Sequence, residues 1–206
     1  MFALATWPRR IVVGTLLLIP VIVAVFGGFG GAQVESHEVP PGQQVDVGAM
    51  VVTPTAFFVS DEVERSFLEI ADAEAWLGVI VEVDNLTTET LSLTFSRGAS
   101  DAVSPALDEA LTTAVGWSYP DSVLRVADAT PGDRALPGVR TQVALMWPLT
   151  DADAVGETLD ITMTESELTY SLMSKEDVWM SLGDVWTTTL PREDLPSTLF
   201  EPKDDF

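Results

Sequence analysis

The sequence predicts an all-β fold, an antiparallel sandwich standing behind one transmembrane helix. Three observations predict it. Ile11 to Ala32 is a run of 22 residues without a charge. Beyond residue 44 apolar side chains recur at every second position, the period of a strand with one face in a core. No alternation of strands with long helical segments is visible, which disfavours a nucleotide-binding α/β fold. At 206 residues the chain fits one domain plus an appendage.

The elements follow in chain order. Residues 1–10 end in Arg9-Arg10, immediately before the apolar run. Basic residues are retained on the cytoplasmic side, so the N-terminus is expected in the cytoplasm and everything after Ala32 outside it. Trp7 suits the interfacial aromatic belt. Residues 11–32 are long enough to span, because a helix needs about 20 residues to cross the hydrocarbon core. Thr15 and Pro20 are tolerated inside such a helix. A cleavable signal peptide has the same order of parts, with Gly30-Gly31-Ala32 as its cleavage site. Either reading exports the remainder. Gly27 and Gly31 have the small-xxx-small spacing that lets helices pack closely in a membrane; a flexible hinge uses the same residues.

Residues 33–44 hold Pro40, Pro41 and Gly42 among polar residues and read as a juxtamembrane spacer. Residues 45–190 read as the sandwich. Leu77, Val79, Val81 and Val83 alternate with Gly78, Ile80, Glu82 and Asp84; Leu91, Leu93 and Phe95 alternate with Ser92 and Thr94; Val143, Leu145 and Trp147 alternate with Gln142, Ala144 and Met146; Leu159, Ile161 and Met163 alternate with Asp160, Thr162 and Thr164. Each is expected to bury one face. Further strands are expected at 45–47, 50–59, 123–126, 168–172 and 185–190. Asp84-Asn85 and Thr87-Thr88 suggest a hairpin between two of the strongest strands. Helical pieces are expected over Pro105–Val115, with a turn around Ser60–Ile70. Residues 191–206, with Pro191, Pro196 and Pro202 among acids, read as an extended tail.

Composition excludes several chemistries. The chain has no cysteine, which removes disulfide scaffolds, thiolate metal sites, cysteine nucleophiles and lipoprotein anchoring. A single histidine, His37, disfavours multi-histidine metal sites and a serine–histidine triad. There are 32 acidic and 10 basic residues, a net −22. Since Arg9 and Arg10 are the only charged residues before Ala32, the exported part carries 32 acids and 8 bases, a net −24. Nucleic acid would be repelled, and so would anionic lipid headgroups. Asp151 to Glu157 starts like a calcium loop, but Val155 and Thr162 stand where ligands belong, so a solvated turn is expected. Asp72, Glu74, Asp101, Asp108 and Glu109 lack any sign of a sugar groove between paired carboxylates. No nucleophile elbow or phosphate loop occurs. Asn85-Leu86-Thr87 matches a glycosylation acceptor and reads better as a turn. No cofactor and no metal site is expected.

The tryptophans supply the candidate contacts. Trp147 falls in phase with a strand's core face. Trp179 and Trp186 are expected to flank a turn at Ser181-Leu182-Gly183-Asp184, and Trp117 and Tyr119 lie in a loop before Pro120. Loop aromatics are frequent partner anchors, and they also cap the open ends of sandwiches.

The segment Val79-Ile-Val-Glu-Val-Asp-Asn85-Leu-Thr, followed by Leu91-Ser-Leu-Thr-Phe95, resembles the bacterial immunoglobulin-like extracytoplasmic domains that follow a lipoprotein or membrane anchor. Tyr119 to Asp128, then Leu136-Pro-Gly-Val139 and Val143 to Trp147, looks like their actinobacterial version, here without a spacer residue in the Leu-Pro-Gly turn. The resemblance covers roughly residues 45–190. It implies an immunoglobulin-like sandwich and a surface location, no catalytic residues, and an Arg125–Asp128 ion pair holding a loop.

The resulting expectation is a non-enzymatic, single-pass accessory subunit of an envelope or transporter complex. Its partner would be an integral membrane protein, held through Trp117, Tyr119, Trp179 and Trp186. The alternative is a binding module for a cation or a cationic envelope ligand, driven by the acidic field.

Overall fold

The computed structural model describes residues 35–63, 73–93, 103–105, 120–171 and 175–199. The chain divides into two units, Met1–Glu35 and Ser36–Phe206. The expected membrane helix, with Gly27 and Gly31, lies outside the described residues, as do Trp117, Tyr119 and most of the expected helix over 105–115. Among the described residues no helix is long and apolar enough to cross a membrane.

The second unit is an all-β sandwich. Its strands are β1 (Ser36–Glu38), β2 (Val45–Asp46), β3 (Met50–Ser60), β4 (Ala75–Asn85), β5 (Leu91–Ser92), β6 (Val103–Pro105), β7 (Ser122–Arg125), β8 (Arg134–Ala135), β9 (Thr141–Leu149), β10 (Thr158–Ser171) and β11 (Glu176–Pro191). One sheet has the order β2-β3-β4-β9-β7, the other β1-β11-β10-β6, and β5 and β8 make a separate pair. Pairing is antiparallel except at β1, which joins β11 in parallel. Residues read as a spacer therefore contribute an edge strand, and the Val39 amide extends it to the Thr187 carbonyl. Pro105, read as the start of a helix, ends β6 opposite Ile161.

The main core lies between the sheets. Leu77, Val79, Val81 and Val83 from β4, with Val143, Leu145 and Trp147 from β9, meet Leu159, Ile161, Met163 and Leu190 from the facing sheet. This is the face the alternation predicts. The other face of β4 and β9, on which the alternation is silent, is covered as well. Trp76, Ile80, Ala144 and Met146 are buried in a second cluster with Phe58, Leu124, Ala129 and Leu199. Part of the cover is the C-terminal segment read as an extended tail. The Glu193 amide donates to the Phe57 carbonyl at 2.8 Å, the Thr198 hydroxyl donates to the Val126 carbonyl, and Leu199 is fully buried in a 3-10 turn, Ser197–Leu199. Apolar area is the reason: Ile80 and Met146 uncovered would each forfeit roughly 1.5–3 kcal/mol of burial. Gly78 makes room on this face, since a Cβ there would lie 2.1 Å from Cζ of Phe58.

Pro54 sits inside β3, where it cannot donate to a ladder. The register slips between Pro54 and Ala56, and the bulged Thr55 turns its hydroxyl onto the Ile80 carbonyl at 3.2 Å.

Among the described residues the expected hairpin after β4 is not seen. β5 pairs with β8 instead. Asn85 is the corner. Its side chain is 1% exposed, and Nδ2 donates to the carbonyls of Glu89 (2.7 Å) and Ala135 (2.8 Å). Its Oδ1 accepts from the Thr87 amide and hydroxyl, both at 2.8 Å. A carboxamide in that position satisfies four groups, which explains the residue without a glycan.

Candidate functional site

The longest strands form one hairpin. β10 and β11 have 14 and 16 residues, against 11, 11 and 9 for β3, β4 and β9. They pair from Thr158↔Pro191 to Ser171↔Glu176 and close through Lys175, whose φ is +59°. The stretch Ser181–Asp184, expected as a turn, is a bulge within β11. Thr164 faces Val185 and Ser166 faces Ser181, so Glu165 stands opposite three residues. Gly183 is required there, because a Cβ would lie 2.6 Å from Cβ of Glu165. The Glu165 carboxylate accepts from the Asp184 amide at 3.3 Å.

Beyond the bulge the hairpin outruns the facing sheet. Ser166 is still buried, and its amide donates to the Val47 carbonyl at 2.9 Å. Trp179 is half-buried against the main core. Leu168 is its direct cross-strand partner, so the two share the core face. Tyr170 follows two residues on, by the strand period on the same face. Yet Leu168 and Tyr170 are each 56% exposed, because nothing among the described residues covers this part of the face. Met180 is 42% exposed on the other face.

Three more large apolar side chains are exposed: Leu86, Leu136 and Val139. They belong to the Asn85 corner. The Gly138 amide donates to the Asn85 carbonyl at 3.1 Å, Asn85 bridges to Pro137, and the Leu86 amide donates to the Ala49 carbonyl at 3.2 Å. The turn Val47–Ala49 thus has Ser166 on one side and Leu86 on the other. A Cβ on Gly48, whose φ is +84°, would meet the Ser166 carbonyl oxygen at 2.1 Å. Leu168 and Tyr170 thus form an exposed apolar end on the hairpin, and backbone contacts link its base to the corner that carries Leu86, Leu136 and Val139.

The surrounding charge is mixed but mostly negative. Strands and bulge supply Glu165, Glu167, Glu176, Asp177 and Asp184 against Lys175. Arg140 reaches Glu82 at 3.4 Å and Asp84 at 3.8 Å beside the corner.

Trp186, expected beside Trp179, is placed elsewhere. It lies past the bulge, half-buried on the core, with the His37 ring centroid 6.0 Å away; His37 Nε2 is 3.7 Å from an Asp184 oxygen. These contacts seat β1 and leave Trp186 outside the apolar end. Of the four aromatic candidates, only Trp179 is seen there. Leu168, Tyr170 and Met180 were missed as contacts; the signal was the alternation of Leu168, Tyr170 and Leu172 before Lys175. Trp147 is fully buried, as its phase predicts. Asp151 forms a turn, its Oδ1 accepting from the Asp153 amide at 3.0 Å, with Val155 buried beside it. Glu74 is exposed, and the other carboxylates considered for catalysis lie outside the described residues.

The 125–130 loop is held mainly by Thr130. Its hydroxyl (2.6 Å) and amide (3.1 Å) both donate to Oδ1 of Asp128. These bonds lower the Asp128 pKa below its ordinary value, and the charge of Arg125 acts in the same direction. Further away, an open depression of about 540 Å³ is lined by Glu157, Arg192, Glu193 and Asp194. The Arg192 guanidinium is occupied in part with the Val155 carbonyl at 3.3 Å.

No family model matches the chain, and no curated protein does. A crystal structure of an uncharacterized β-sandwich protein from Clostridium difficile 630 aligns with a TM-score of 0.40 at 12% identity, over 76% of this chain and 95% of that one.

Proposed function

We propose that this chain is a non-enzymatic binding subunit held at the cell membrane, with residues 11–32 as its anchor and the sandwich outside the cytoplasm. The domain works there in the manner of the anchored immunoglobulin-like domains it resembles, and its apolar end grips a partner protein. The observation that carries this reading is the exposure of Leu168 and Tyr170, neighbours on the core-phased face of the hairpin beside Trp179. Single exposed apolar residues need no explanation, whereas a concentrated group marks an interaction surface. Trp179 adds a rigid aromatic at the base of the hairpin, the residue type that dominates interface energetics. The uncharged run behind Arg9-Arg10 supports the anchor and its orientation.

Amine crosslinking of the full-length chain in native membranes tests the reading well, because Lys175 and Lys203 are its only lysines. The expected product links Lys175, at the hairpin turn, to one stoichiometric partner, and it is lost when Leu168 and Tyr170 are both replaced by Ser. Recovery of the chain alone, or a crosslink indifferent to those substitutions, would overturn the proposal.

A further inference from the structure

We infer that the partner segment received by the apolar end is extended and basic, with apolar residues at alternate positions; this rests on the reading of that end as an interface. The first ground is charge. Along the hairpin from Glu165 to Asp184 there are five acids and one base, and the exposed Glu167 and Asp177 flank the Leu168–Trp179–Tyr170 face. A complementary surface carries Lys or Arg around an apolar centre. A second copy of this chain would set one acidic hairpin against another, within the distance over which unscreened like charges repel. An anionic lipid surface would be repelled too.

The second ground is the backbone. β1 pairs with β11 only from Val185 to Thr187, and β6 pairs with β10 only from Ile161 to Met163. Among the described residues, the hairpin beyond the bulge has no strand on either edge. An extended segment can add there through main-chain hydrogen bonds, while its alternate side chains meet Leu168 and Tyr170 on one face. The acids along these edges also keep the hairpin from pairing with its own kind, as inward or edge charges do in other sheets.

The test uses the full chain in zwitterionic-lipid nanodiscs and three labelled octapeptides: alternating Lys–Val, alternating Lys–Ser and alternating Glu–Val. Binding is read by anisotropy at low and high salt. The Lys–Val peptide is expected to bind at least about tenfold more tightly than either other peptide. It should weaken several-fold at high salt, and lose about tenfold on Leu168→Ser with Tyr170→Ser. Both residues are exposed, so the double variant should unfold where the parent does, and that is checked alongside. Equal binding of the Lys–Ser peptide, binding of the Glu–Val peptide, no binding of any, or affinity unchanged by the double substitution would overturn the inference. So would concentration-dependent dimers abolished by the double substitution, which would make a second copy the occupant. If Lys175 crosslinks to a natural partner through a neutral or acidic segment, this inference fails while the interface itself stands.

Discussion

Replacing Asn85 with Ala should loosen the corner where β4 meets the β5–β8 pair. Four hydrogen bonds disappear: two from Nδ2 to the carbonyls of Glu89 and Ala135, and two into Oδ1 from Thr87. At a net of about 1 kcal/mol each, the loss is about 3–4 kcal/mol. The partners do not suffer alike. The Thr87 hydroxyl has one proton to share between Asn85 Oδ1 and the Glu89 carbonyl, 2.9 Å away, and without Asn85 it gives that proton wholly to the carbonyl. The Thr87 amide lies at a half-exposed turn, open to water. The Ala135 carbonyl loses a buried partner 50 residues away in sequence, and stranding such a group costs about 1–3 kcal/mol by itself. Against a typical total of roughly 5–15 kcal/mol, this is a large fraction. Urea unfolding of the full-length chain in mild detergent, followed by tryptophan fluorescence, measures it. The midpoint should fall with an unchanged slope. Hydrogen exchange should quicken at Leu93, whose amide bonds the Asp133 carbonyl at 2.8 Å beside the β5–β8 pair. Asn85→Asp should cost at least as much at neutral pH, because it keeps the Oδ1 contacts but turns an anion toward two carbonyls. A loss below about 1 kcal/mol for Asn85→Ala, the worth of one ordinary bond, would refute the reasoning.

Three further outcomes follow from the same geometry. Leu199→Ala should destabilise by about 2–4 kcal/mol by opening the cover of the second cluster; a cost under about 1 kcal/mol would show that the C-terminal segment contributes little. Gly78→Ala should cost about 1–3 kcal/mol because the new methyl meets the Phe58 ring, and in a Phe58→Leu background the penalty should shrink; simple additivity in that double-mutant cycle would mean the two do not meet. Thr130→Val should raise the Asp128 pKa toward the ordinary value, read by carboxyl NMR titration. A lowered carboxyl pKa adds stability that is full above the ordinary value and is lost as pH falls through the lowered one, so the variant should be less stable only above that window; an unmoved Asp128 titration would assign the shift to something other than the hydroxyl.

Local pattern decides part of this protein. The alternation of Val79, Val81 and Val83, and of Leu159, Ile161 and Met163, dictates strands with one buried face, because side chains alternate across a pleat whatever surrounds them. The uncharged run behind Arg9-Arg10 is legible in the same way, from composition alone. What alternation lacks is any knowledge of the second face or of the partner strand. Trp76, Ile80 and Met146 look no different in sequence whether Leu199 returns to cover them or not. Asn85 reads as a hairpin turn because turn chemistry is local, whereas its 50-residue bond to Ala135 is not. Ser181–Asp184 reads as a turn for the same reason, and becomes a bulge only because Glu165 stands opposite Gly183. The apolar end is the furthest from local information. Leu168 and Tyr170 carry the alternation of core residues, and among the described residues the sheet that would face them stops short. Strand length on one sheet relative to the other is a property of the assembled sandwich, and it is this mismatch that turns core-patterned residues into a surface.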